Sequence, residues 1–135
     1  MNKFTIATML ITFMFFISGI DKMMNVQKVA DGLQKRVGWG VPANVFVAAI
    51  VFAALLEITA PLIMTYSAAT HKYSKEARWA AVALALFTAL VTYVYHFPPF
   101  GTTYYPFISN VTTFGALLLL AQLFRCRNNE NPLMQ

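Results

Sequence analysis

Charged residues are scarce in this chain. They make up 11% of its 135 residues, against about 25% in soluble domains, and only five are acidic. Cysteine occurs once, as Cys126. No internal disulfide can form, and a CxxC-type membrane thiol oxidoreductase is excluded for the isolated chain. Between Arg125 and Arg127 that thiol reads as idle, with acylation at a membrane edge as the alternative. The two histidines, His71 and His96, fall far apart in any helical topology, so no metal site is expected. The chain has no phosphate-binding loop, no Ser-His-Asp set and no nucleotide fingerprint, so catalysis by the chain alone is not expected. It also lacks a basic patch interleaved with base-stacking aromatics, which excludes a nucleic-acid partner despite the net charge of +5. Internal repeats and low-complexity tracts are missing too.

What the chain does have is apolar residues, 59% of the total, in long uninterrupted blocks. A fold of this size in water could not hide so much apolar surface, so the lipid bilayer is the expected solvent. Four blocks, at about 4–20, 43–66, 77–96 and 106–124, are near or within the roughly 17–25 residues that cross a bilayer. Each should be helical, because a lipid-facing strand would leave its backbone unpaired. The first block is short and follows Lys3. However, no small-x-small site precedes Asp21, and bulky Phe13, Phe15 and Phe16 lie near its end, so it reads as a retained anchor rather than a signal peptide.

The joints differ in kind. Over about 22–37, Met23, Val26, Ala30, Leu33 and Val37 recur at steps of three and four, with Lys22, Lys28, Lys35 and Arg36 mostly off that stripe. This predicts an amphipathic interfacial helix, ended by Gly38 and Gly40, with Trp39 at headgroup level. A lid over the bundle and a plain solvated helix both remain open. Ala68 to Lys75 reads as a polar turn with Ser74 as N-cap. Pro98, Pro99 and Gly101 forbid helix through the last joint, and Pro106 suits the first turn of the fourth helix. Residues 125–135 read as a polar, frayed tail.

Helix faces carry more information than the blocks. Thr5, Thr8, Thr12 and Gly19 share one arc of the first helix. Ala53, Ala54, Ala60 and Pro61 flank Glu57 on the second. Ala81, Ala85, Thr88, Thr92 and His96 line the third, and Asn110, Thr113 and Ala121 line the fourth. Small and hydroxylated residues let membrane helices approach closely. These stripes predict an all-α, transmembrane antiparallel four-helix bundle forming a single membrane domain, with Leu, Ile and Phe turned to lipid. Packing alone accounts fully for the Ala and Thr residues, but it does not account for Glu57, His96 or Lys22.

Glu57 is a lone carboxylate in the second apolar block, and an ionisable group at such depth costs roughly 2.5–3.5 kcal/mol on insertion scales. Pro61 lacks the N–H that would bond the Glu57 carbonyl. Glu57 lies about twelve residues into its helix, roughly 18 Å below the mouth where Lys22, His96 and Asn110 gather. A direct Lys22–Glu57 ion pair is therefore not expected unless the helices are offset or broken, and Thr8 and Thr12 are the expected neighbours. A buried structural role for Glu57, an interfacial anchor role for His96 and a snorkelling role for Lys22 stand beside the functional readings.

Charge sets the orientation. Four spans put both termini on one side with six basic residues, Lys3, Lys72, Lys75, Arg78, Arg125 and Arg127, against four on the other. The positive-inside rule then places both termini in the cytosol.

Several landmarks now fall in one order: Ser18-Gly19 with Lys22, a connector ending Gly40-Val41-Pro42, Leu56-Glu57, His96, and Asn110. Over about residues 5–124 this resembles the DoxX family of small four-helix membrane proteins. The resemblance implies Ser18, Gly19, Lys22, Glu57, His96 and Asn110 as functional positions. It also implies an accessory membrane subunit of a redox complex, quinone- or thiol-linked, with a redox or client membrane protein as partner. Phe97-Pro98-Pro99 departs from relatives that carry a polar residue after the histidine, so substrate and partner do not transfer directly. With a quinone as the only cofactor, Tyr95 or Tyr105 joins the list as a donor to a carbonyl oxygen, and Pro61 and Pro106 are structural. The alternatives are a scaffold, chaperone or lipid-binding module, or a proton-linked pore, which would require a homo-oligomer.

Overall fold

The computed structural model describes residues 2–38 and 40–130, with the side chain of Glu130 left aside. Trp39, expected at headgroup level, and residues 131–135 of the expected tail lie outside the described residues. Five helices follow one another: α1 (Lys3–Met24), α2 (Val26–Val37), α3 (Ala43–Thr70), α4 (Ser74–His96) and α5 (Tyr104–Glu130), with one 3-10 turn at Gly101–Thr103. No strand occurs among the described residues. α1, α3, α4 and α5 are long and apolar enough to cross a membrane, which is compatible with a multi-pass membrane protein.

Local chemistry explains the helix ends. Asn2 caps α1, its side chain accepting the Thr5 N–H at 2.8 Å. α1 does not stop near residue 20. It continues through Lys22 to Met24, and Asn25 breaks it in a single residue before α2 begins. Gly38 closes α2 in the left-handed region at φ 62°, its N–H bonding the Gln34 carbonyl at 2.9 Å. α3 runs to Thr70, past the expected start of a polar turn, and His71 closes it in the same left-handed region. Ser74 is the first helical residue of α4 rather than its cap. The cap position falls on Tyr73, without a side-chain bond. Pro106 sits in the first turn of α5, where its missing N–H costs nothing. α5 continues through residues 125–130, which sequence composition marks as a frayed tail. Arg127 ties that end down, bonding the Ala68 carbonyl at 3.2 Å and lying over the Phe4 ring.

α1 packs mainly on α3 and α4 mainly on α5, and α3 joins the two pairs by packing on α4. α1 buries Thr5, Thr8, Thr12 and Gly19, the arc of small residues visible in its sequence. α4 buries Ala77, Ala81, Ala85, Thr88 and Thr92 with Leu84. The expectation that Leu, Ile and Phe all face lipid fails at the end of the molecule where α1 starts and α5 finishes. There Leu84, Leu117, Leu120 and Phe124 form the core with Met64, and Phe4 meets Phe124 edge-on with centroids 5.2 Å apart. The reason is volume: alanines and threonines on α3 and α4 leave space between helices that only large side chains from α5 can fill. A second, smaller core forms at the far end, where Ala30 and its half-buried neighbours Val26, Val29 and Leu33 cover Phe46 and Ile50. Met23, expected on that stripe, belongs to α1 instead and is exposed.

Candidate functional site

Between the two cores, α1 and α5 scarcely touch. The space that opens there is a cleft of about 380 Å³, at the small end of the roughly 300–1,000 Å³ typical of ligand sites. Its wall from α1 is Leu10, Met14, Ser18 and Lys22, one residue every four, with Ile11 and Phe15 beside them. Glu57 enters from α3, and Phe87, Thr88, Val91 and His96 from α4. α5 contributes Asn110, Thr113 and Ala116. Along α1 the distance from Leu10 to Lys22 is roughly 18 Å at 1.5 Å per residue. Polar groups gather at one end of this slot, where Lys22, Ser18, Glu57, His96 and Asn110 lie, and the rest is mostly apolar, the hydroxyls of Thr88, Thr112 and Thr113 being spent on carbonyls of their own helices.

The centre of the polar end is an ion pair. Lys22 Nζ lies 2.7 Å from Glu57 Oε2 and also donates to Ser18 Oγ. Ser18 in turn donates to Glu57 Oε1 at 3.4 Å. The Glu57 side chain is 4% exposed and that of Lys22 20%. This overturns the expectation that the two charges lie too far apart to pair. The helices are offset along their length. The first two turns of α3 extend beyond α1 and are wrapped by α2, so Gly19 of α1 comes level with Ala54–Ile58 of α3. Direction completes the pairing. Asn2 of α1 meets Ala68 of α3 while Gly19 meets Ala54, so the two helices run in opposite senses past each other. Helical side chains lean toward their own N-termini, so Lys22 and Glu57 lean toward one another.

Gly19 makes the close approach possible. A Cβ at that position would sit 2.8 Å from Ile58 Cγ1 and 3.0 Å from the Ala54 carbonyl oxygen. Thr8 and Thr12, the expected partners of Glu57, instead donate to the backbone carbonyls of Phe4 and Thr8 one turn back, at 2.9 and 2.8 Å. Their hydroxyls are spent within α1.

The structure thus brings Ser18, Lys22, Glu57, His96 and Asn110 around one cleft, with Gly19 directly behind it. It does not bring Tyr95 or Tyr105 there. Tyr95 lies under the Arg36 guanidinium, 5.0 Å from its ring centroid, and its carbonyl accepts from Arg36 at 3.0 Å. Tyr105 is 80% exposed and stacks edge-on with Tyr104. Pro61 lies buried in α3 one turn beyond Glu57. The apolar walls, Leu10, Met14 and Phe87, are not among the residues that sequence reasoning singles out. The spacing of four from Leu10 through Met14 and Ser18 to Lys22 is the signal that could have found them, a row that starts opposite the threonines and winds toward them at Lys22.

Among the described residues no group of three or more His, Cys, Asp or Glu is close enough to hold a metal ion. His71 lies at the end where α1 starts and α5 finishes, with both ring nitrogens 2.7 Å from Arg127 Nη2, at the opposite end of α4 from His96. Cys126 is a free, exposed thiol. Compared with protein-family models, curated proteins and solved structures, the chain matches none of them.

Proposed function

We propose that the chain is a DoxX-like integral membrane protein, an antiparallel four-helix bundle with α2 across its mouth and both termini in the cytosol. Its role in this reading is that of an accessory membrane subunit in a quinone- or thiol-linked redox complex. The cleft holds a quinone or similar apolar ligand, with the ring end against Lys22, His96 and Asn110 and the tail against Leu10, Met14 and Phe87. The observation that carries the reading is the polarity of the cleft: Lys22, Ser18, Glu57, His96 and Asn110 gather at one end, and the rest is mostly hydrocarbon, with the hydroxyls of Thr88, Thr112 and Thr113 bonded back to their own helices. The chain supplies a binding site and no redox group of its own, so electrons would pass to and from a partner. Two measurements test this together. A flavoprotein or other redox subunit should co-purify from native membranes. A quinone analogue should bind the purified protein and lose most of its affinity in Lys22→Ala and His96→Ala. Binding that ignores both substitutions would refute the site.

One observation favours a second reading, a lipid-binding module without a redox partner. Leu10 and Met14 are 73% and 70% exposed, so the cleft opens sideways where acyl chains would lie. Recovery of a client membrane protein or a defined lipid, in place of a redox subunit, would select it.

A further inference from the structure

We infer that the cleft selects lipids with uncharged head groups, and that Glu57 sets this selectivity by cancelling the charge of Lys22. The inference rests on the reading of the cleft as a ligand site. Lys22 and Glu57 are the only Asp, Glu, Lys or Arg side chains among the described residues that line it. Their 2.7 Å contact makes them one electrical unit. Whether the shared proton sits on nitrogen or oxygen, the pair sums to zero. Asp21 and Arg36 do not line the cleft: Asp21 accepts from the Asn25 side chain at 3.0 Å, and Arg36 is held on Tyr95. An anionic head entering the cleft would therefore meet no net countercharge, and would face the Glu57 carboxylate in a medium that screens poorly.

The same groups suit a neutral head that accepts hydrogen bonds. An ammonium has three N–H donors; two of those on Lys22 go to Ser18 and Glu57. The third is left for a ligand, and His96 and Asn110 add ring and amide groups that no protein hydrogen bond engages among the described residues. Carbonyl, ester or hydroxyl oxygens match that set. At about 380 Å³ the cleft encloses a head and the start of a tail, and the remainder leaves past Leu10 and Met14 into the bilayer. A lipid of the surrounding leaflet enters in that orientation without turning over, because both have the polar end at the same side.

The test uses full-length protein in phosphatidylcholine nanodiscs at pH 8.5. Radiolabelled 1-monolaurin is the reporter, with dodecanesulfonate and decylubiquinone as competitors. On the wild type, monolaurin should bind saturably and dodecanesulfonate should compete at least tenfold more weakly. In Glu57→Gln the Lys22 charge is no longer cancelled, so dodecanesulfonate should gain tenfold or more relative to monolaurin. In Lys22→Met/Glu57→Gln the cleft is again uncharged: monolaurin, now held by His96 and Asn110 alone, should bind more weakly, and dodecanesulfonate should again compete at least tenfold more weakly than unlabelled monolaurin. That double variant and the wild-type arm decide the matter should Glu57→Gln fail to fold. Equal competition by dodecanesulfonate on the wild type, no gain in Glu57→Gln, or no saturable monolaurin binding would each overturn the inference. If monolaurin binds and decylubiquinone does not, the quinone reading falls and this inference stands. If decylubiquinone and dodecanesulfonate compete equally, the inference falls and the quinone reading stands.

Discussion

Replacing Lys22 with methionine removes one half of the buried ion pair and leaves a 4% exposed carboxylate with only the 3.4 Å bond from Ser18. Stranding one member of a buried pair costs about 3–5 kcal/mol. The low end applies, because the Lys22 side chain is 20% exposed and the pair is only partly shielded. A loss of about 3 kcal/mol raises the unfolding constant roughly a hundredfold. The reverse substitution, Glu57→Gln, should cost less, about 1 kcal/mol, since Lys22 can swing its ammonium toward the mouth and glutamine still accepts from Ser18. The double variant should return to within about 1 kcal/mol of wild type, because exchanging a whole pair for uncharged groups is often nearly neutral. The coupling is then at least about 3 kcal/mol, at or above the top of the usual range for residues in contact. Reversible unfolding in dodecylmaltoside titrated with dodecyl sulfate, followed by far-UV circular dichroism, measures all four corners of the cycle. Additive losses would refute the reasoning, as would a Lys22→Met variant as stable as wild type.

Gly19→Ala should destabilise by about 1 kcal/mol in the same titration. Overpacking costs about 1–3 kcal/mol, against a helix-propensity gain of about 1 kcal/mol, and the Ala54 carbonyl at 3.0 Å is backbone that cannot step aside; a more stable variant would contradict this. Arg36→Ala removes both the bond to the Tyr95 carbonyl and the stacking on its ring, so amide exchange in α2 should quicken about fivefold while the Leu84–Leu117–Phe124 core keeps its protection, as hydrogen-exchange mass spectrometry would show.

Much of the architecture is legible from hydropathy and spacing. The apolar blocks locate the four long helices because the backbone in lipid must pair with itself. The threonines and glycine of α1, spaced by three, four and seven, define its buried face because only small groups fit where α3 approaches. What spacing along one helix does not contain is the position of that helix relative to its neighbour. Glu57 looks too deep for Lys22 only if α1 and α3 end level, and the offset that joins them comes from α2 wrapping Phe46 and Ile50. The burial of Leu117, Leu120 and Phe124 is hidden for a related reason. In lipid a leucine can face either way, so hydrophobicity alone does not assign it a side; the volume left by Ala77, Ala81 and Ala85 does. Sequence position groups Tyr95 and Tyr105 with the mouth, yet neither lines the cleft.

The ion pair joins the first and second long helices of the chain, with only α2 between them. During synthesis both partners are made before α4 and α5 exist. In the proposed membrane reading, the α1–α3 hairpin can thus leave the insertion machinery as an electrically neutral unit, and neither charge has to wait in hydrocarbon for a later segment to arrive.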